Sequence, residues 1–264
     1  MNNNQNKHLN WKQVKLEDLH FNVHDKFGKL QITTTLTGNG DVALVTPACI
    51  TQWPRVVGDG NFGTMWGPDD ITKAKFQLDL TDAFINNTAN PDWEAFAALL
   101  TGIDNKLLDF VCNPDNQTRL LGRRNLSREE VKMLQIPSVK AKYDKMSGNL
   151  IGHSVQLNAP KFIFDGMGGK MARDINVVDF SGKAIEKPSV APGDCVATTC
   201  HIGQVYTGVG GDKFGISWAL DAVSIVAQRS QLSQAKDLDC FQQSSYTFAT
   251  PYVPPQVSEP MSVS

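Results

Sequence analysis

Residues Ile202 to Gln228, IGQVYTGVGGDKFGISWALDAVSIVAQ, leave few choices to the chain that carries them. The first run, Gly203 to Thr207, stops at Gly208-Val-Gly-Gly-Asp212, where residues without a Cβ can take a positive φ and turn the chain tightly. In the second run Phe214, Ile216, Trp218 and Leu220 are apolar, while Gly215, Ser217, Ala219 and Asp221 are small or polar. A period of two is a half-buried strand. From Ala222 the run Ala-Val-Ser-Ile-Val-Ala is nearly all apolar, as in a strand buried on both faces. Two strands round a tight turn, the second long enough to curve, predict a hairpin that closes a small barrel.

Other segments supply strands for such a barrel. Lys29–Leu36 and Asp41–Thr46 flank the turn signal Thr37-Gly-Asn-Gly40 and predict a hairpin, with Pro47 ending the ladder. Lys73–Leu80, Val139–Tyr143, Val155–Phe164, Ile175–Phe180 and Cys195–Cys200 read as further strands. Two helices interrupt them. In the first, Asn90 is placed to cap, Pro91 suits the first helical position, and Asp92 and Glu94 favour the positive end of the dipole. Trp93, Phe96, Leu99, Leu100, Ile103, Leu107 and Phe110 then form one apolar stripe that stops at Asn113-Pro114. The second starts at Ser127, with Glu130 three residues on as a capping box, and stops at Ile136-Pro137.

Charge is uneven although the whole chain of 264 residues carries only -2. Asp79 to Asp115 holds seven acids and one base, whereas Arg119 to Lys145 holds eight bases and three acids. A basic run of this kind is either a solvated face or a track for phosphates. Arg123, Arg124, Arg128, Lys132, Lys140 and Lys142, with Lys213 in the closing hairpin, are the phosphate candidates. Single-stranded nucleic acid also needs flat faces for its bases. Trp53, Phe62, Trp66, Tyr143, Phe162, Phe164, Tyr206, Phe214 and Trp218 could supply them or could fill the core. Trp53 and Trp66, in a Gly-rich loop where burial is hard to arrange, are the best stacking candidates, together with Tyr206 and Trp218.

Other chemistries find less support. Cys195-x4-Cys200-His201 lacks the usual Cys-x2-Cys zinc spacing, and alternation puts the two thiols on opposite faces of a strand. Gly166–Lys170 and Gly208–Asp212 lack the spacing of a phosphate-binding loop. The acids Asp79, Asp82, Asp92 and Glu94 could bind magnesium, with Asp79, Asp82 and Glu94 as a nuclease set, but a strand end and a helix N-terminus explain them better. The five histidines fall in no catalytic pattern. The expectation is a binding protein, without catalysis, metal or cofactor. The polar start MNNNQNKHLN, the absence of any run near ~18 apolar residues, and five irregularly spaced cysteines predict a non-secreted intracellular protein with no membrane partner.

In order along the chain, Thr46-Pro47, Lys75-Phe-Gln-Leu-Asp-Leu80, Phe96–Leu108 with Ile103-Asp104, Leu121-Gly-Arg-Arg124, Leu126-Ser-Arg-Glu-Glu-Val131, Pro137-Ser-Val-Lys140, Val205-Tyr206 and Lys213–Trp218 resemble the single-stranded DNA-binding protein family of large eukaryotic DNA viruses, the chlorovirus and African swine fever virus kind. The resemblance spans roughly Thr46 to Val226. It implies an OB-like five-stranded antiparallel barrel with helical insertions, in a mainly β (α+β) chain. It also implies non-sequence-specific coating of single-stranded DNA in viral replication, recombination or repair. Partners expected for that role are single-stranded DNA, replication proteins and further copies of the chain. The boundaries expected are a flexible start at 1–10, one binding domain at 11–240 and a Pro-rich flexible tail at 241–264. That tail departs from the acidic tails common in such a role, since Glu259 is its only charge. The competing expectation is a structural β-sandwich, a capsid or scaffold protein that ignores nucleic acid.

Overall fold

Phe214, Ile216, Trp218 and Leu220 do all turn inward along one long strand, and a barrel closes around it. The computed structural model describes residues 8–26, 29–37, 40, 42–51, 74–80, 91–159, 162–164, 170–172, 176–179, 181–184, 190, 193–208 and 211–227. Its strands are β1 (Leu9–Asn10), β2 (Leu19–Lys26), β3 (Lys29–Leu36), β4 (Ala43–Val45), β5 (Cys49–Thr51), β6 (Ala74–Leu80), β7 (Gln135–Ile136), β8 (Val139–Tyr143), β9 (Leu150–Ala159), β10 (Phe162–Phe164), β11 (Lys170–Ala172), β12 (Asn176–Val178), β13 (Cys195–Thr207) and β14 (Phe214–Ala227). The helices are α1 (Pro91–Cys112), α2 (Pro114–Asn116), which runs on as a π-helical turn Gln117–Leu121, and α3 (Arg128–Leu134). Among the described residues no helix is long and apolar enough to cross a membrane.

Five strands form the ring. β5 pairs with β6, β6 with β9, β9 with β14, β14 with β13, and β13 returns to β5. Numbered by chain order, the ring runs first, second, third, fifth, fourth, an OB-like Greek-key barrel with helices inserted between its second and third strands. One expectation needs correcting: the barrel is not wholly antiparallel, because β9 and β14 run parallel, Trp218 opposite Leu157. The reason is parity. Directions cannot alternate all the way round a closed ring with an odd number of strands, so at least one pair must be parallel. Closure also removes the β-sandwich, which needs two separate sheets.

Shifts in register between β13 and β14, at Cys195/Val196, Thr199/Cys200 and Ile202/Gln204, bend these two long strands around the barrel. Phe76, Leu78, Val155, Leu157, Val196, Phe214 and Trp218 are buried in the core. Pro47 interrupts the first barrel strand without ending it. The Thr46 N–H donates to the Thr198 carbonyl at 2.8 Å, and pairing with β13 resumes at Cys49.

Lys29–Leu36 forms a strand as expected but takes a different partner. It pairs with Leu19–Lys26, Leu19 opposite Leu36, a strand that sequence reading missed, and not with Ala43–Val45, which lies on β13. The Thr37–Gly40 signal does turn the chain, with Gly40 N–H donating to the Leu36 carbonyl at 3.0 Å. Order also begins before residue 11. Leu9–Asn10 pairs in parallel with Leu44–Val45, His8 meets Asp221, and buried Trp11 stands edge-on to Phe96 with centroids 5.7 Å apart.

Helix α1 follows its stripe: Trp93, Phe96, Leu100, Ile103 and Leu107 are buried, while Leu99 and Phe110 pack partly against the same core. Asp104 interrupts that face and is only 5% exposed. Its carboxylate accepts from the Ser138 N–H and the Ser138 hydroxyl, both at 2.7 Å, and that hydroxyl accepts from the Trp218 indole N–H at 3.0 Å. A three-residue chain therefore ties the helix, the entry to β8 and the fifth barrel strand together.

Candidate nucleic-acid interface

The basic segment is shaped by one buried side chain, Gln117. Its amide NH2 donates to the carbonyls of Cys112 at 3.2 Å and Leu126 at 3.0 Å, and its Oε1 accepts from the Leu126 N–H at 3.0 Å. At the other end of the loop, the Gly122 N–H donates to the Thr118 carbonyl. Between these two anchors Arg123 and Arg124 stand exposed. Asn125 takes φ 58°, a left-handed conformation that Asn tolerates better than most residues. The capping box at Ser127 and Glu130 is made in both directions and starts α3 immediately after the loop.

The turn between β13 and β14 seats directly on this segment. Gly211 has φ +69°, and a Cβ there would lie 2.3 Å from the Leu121 carbonyl oxygen and 2.5 Å from the Leu121 Cα. Only glycine fits on both counts. Just past this turn β14 pairs in parallel with β7, which follows α3, Phe214 opposite Gln135 and Gly215 opposite Ile136. Exposed Lys213 is thereby brought to the end of the barrel that carries Arg123 and Arg124, with exposed Lys132 following on α3. Residues nearly a hundred apart in sequence share one basic end.

The remaining cations divide. Lys140 on β8 is exposed and has no carboxylate partner among the described residues. Lys142 is committed: its ammonium lies 2.7 and 2.9 Å from the two carboxylate oxygens of buried Asp79, spanning β9 to reach β6. Arg128 pairs with Asp109, both well exposed, an arrangement of little energetic weight that a phosphate could displace.

The aromatic candidates divide too. Trp218 is 2% exposed, with its indole hydrogen-bonded to Ser138. It is a core residue and offers no stacking face, which corrects its place among the stacking candidates. The same periodicity that identified its strand puts it on the face of Phe214 and Ile216. Tyr206 is half-buried opposite Gly215, and its phenol end lies where a side chain at Gly215 would be. Burial, with the charge of Asp104 adding to it, pushes the phenol above its ordinary pKa. Trp53 and Trp66, like Phe62, Asp82 and the 241–264 tail, lie outside the described residues.

Between the basic end and the strand ladder runs a polar outer strip. Gln77 faces Gln156 across β6 and β9, and the Asn158 amide donates to the Ser217 hydroxyl on β14 at 2.6 Å. The face of the second and third strands, with the loops that join the first to the second and the fourth to the fifth, is where OB barrels take oligonucleotides. That these positions share one face of their strands was legible from alternation. Gln117 was not, because a glutamine in a polar run carries no signal that it will be buried.

Among the described residues no three metal-ligating side chains come together. Cys49, Cys195 and Cys200 are buried free thiols, and burial pushes Cys195 up to about 11 and the other two well above the ordinary thiol value.

No protein-family model matches the chain, and no curated protein matches it. Solved structures of bacteriophage proteins are similar at low identity. One is gp2.5, a single-stranded DNA-binding protein encoded by bacteriophage T7, with TM-score 0.47 and 9% identity over 70% of this chain and 92% of that one. Another is the single-stranded DNA-binding protein of bacteriophage Enc34 in complex with ssDNA, with TM-score 0.37 and 10% identity over 74% and 90%. A third is a C-terminal truncation of the Enc34 protein, with TM-score 0.38 and 9% identity over 78% and 95%.

Proposed function

We propose that this chain binds single-stranded DNA without sequence preference and without catalysis. The strand would cross the polar outer strip of β6, β9 and β14, and its phosphates would run past Arg123, Arg124, Lys132, Lys140 and Lys213. The observation that carries this reading is the seating of the β13–β14 turn on Leu121, which brings the arginine loop to one end of an OB-like barrel. Phosphate neutralisation gives affinity without sequence information, and polar groups on the strip tolerate any base. Tyr206, Trp53 and Trp66 remain the proposed stacking residues. Residues 11–240, extended by the pairing at Leu9–Asn10, would form the binding unit.

The proposed setting is the one implied by the large-virus resemblance. It is coating of DNA during replication, recombination or repair inside the host cell, with replication proteins and further copies as partners.

The test is anisotropy of labelled oligo-dT, against duplex of equal length, at several salt concentrations. Preferential binding of the single strand that weakens with salt is expected. Arg123→Ala with Arg124→Ala should lower the log-log salt slope by up to about 1.4, at ~0.7 per phosphate contact. No binding at low salt, or an unchanged slope in the double variant, would sink the proposal.

A further inference from the structure

Five large apolar side chains stand exposed among the described residues, and three share the tip of one hairpin: Tyr143 at 62%, Met146 at 97% and Leu150 at 54%. This is the β8–β9 hairpin, which projects beside the second and third barrel strands through its pairing with β9. Tyr143 and Leu150 are register partners and lie on one face. The register slips just before them. Lys142 opposes Gly152 but Tyr143 opposes Leu150, so Ile151 is an extra residue, and Gly152 takes φ 147°, where a side chain is strained. Such a bulge re-aims the residues beyond it.

The tip is held in shape. The Asp144 carboxylate accepts from the Met146 N–H at 2.7 Å, while the Asp144 N–H donates to Asn149 O and its carbonyl accepts from Gly148, both at 2.8 Å. The acid is thus turned onto the backbone, and the Met146 and Ser147 N–H groups hold its pKa below the ordinary value. Lys140 and Lys145 on the same hairpin are exposed and have no carboxylate partner among the described residues.

We propose that this tip is a base-stacking finger. Tyr143 takes the face of one unpaired nucleobase, Leu150 and Met146 flank it, and Lys145 at the tip meets an adjoining phosphate, while Lys140 lies on the opposite face of β8. The inference rests on the single-strand reading above and lengthens the strand's path beyond the barrel. An exposed aromatic with an exposed lysine, Lys145, two residues on is the chemistry that a base and its phosphate recognise.

The experiment compares the full chain with Tyr143→Ala and Tyr143→Trp, on oligo-dT and on an abasic oligonucleotide of equal length. Tyr143→Ala should weaken oligo-dT binding roughly five- to hundredfold, leave abasic binding and the salt slope unchanged, and melt with the native chain. Tyr143→Trp should restore affinity and add a fluorescence signal quenched by oligo-dT. If the native chain binds oligo-dT and Tyr143→Ala binds it equally, the finger falls and the single-strand reading stands. Loss of self-association in Tyr143→Ala with DNA affinity intact would also overturn it, in favour of a contact between copies. If the native chain fails to bind oligo-dT at low salt, both fall together.

Discussion

Asp104 titrates near 6 although Ser138 donates two hydrogen bonds to it, because burial disfavours the charged carboxylate by more than those bonds favour it. Its folded pKa lies above the ordinary 3.8. Between about pH 4 and 6 the folded chain therefore holds a proton that the unfolded chain has released. Stability should fall as pH rises through that window and level off above it, a change of about 3 kcal/mol from this group. Urea unfolding across the window should show the decline in the native chain and a flatter profile in Asp104→Asn; parallel profiles would mean that another group is responsible. The other end of the same network makes a separate prediction. Trp218→Phe removes the indole N–H from Ser138 and should cost about 1–3 kcal/mol in urea while leaving oligo-dT affinity intact. A stable variant that had lost affinity would restore Trp218 to the stacking residues.

At the scale of elements, the packing of the β13–β14 turn against the π-helical turn decides where the basic loop sits. Gly211→Ala would place a methyl group inside the Leu121 backbone at a φ that alanine resists. The turn must lift, so both the melting temperature and the affinity for oligo-dT should drop; a variant unchanged in both would show that the contact is loose. Helix α1 buries its apolar stripe in the core. Ile103 and Leu107 are fully buried, and truncating either to alanine should cost about 2–5 kcal/mol, read from urea midpoints. A cost under about 1 kcal/mol would mean that the helix repacks.

For the whole molecule, pairing is concentrated in one place. β13 and β14 pair almost end to end, whereas β1 is joined to the sheet through two residues and the β2–β3 hairpin meets β13 at Val205 and Ile32 alone. Local opening should follow that order. Hydrogen exchange should be slowest in the β13–β14 ladder and faster in the β2–β3 hairpin and at Leu9–Asn10. Uniform protection would indicate that the attachments unfold only with the barrel.

What the sequence determined by itself is local. The inward face of Phe214, Ile216, Trp218 and Leu220, the span of α1 from Pro91 to the break at Asn113-Pro114, and the start of α3 at the Ser127 capping box all rest on side chains within a few residues of one another. Periodicity and capping act at that range, so they could be read directly. Tertiary structure decided the pairings and the fate of the charges. Lys29–Leu36 pairs with Leu19–Lys26 just before it and not with the expected Ala43–Val45, which lies on β13, and Lys142 was committed to Asp79 while Lys140 stayed free of any carboxylate among the described residues. It also placed Lys213 beside the arginine loop and turned the face of Trp218 into the core. Each of these outcomes depends on which strand arrives alongside, and alternation specifies a face without specifying what will cover it.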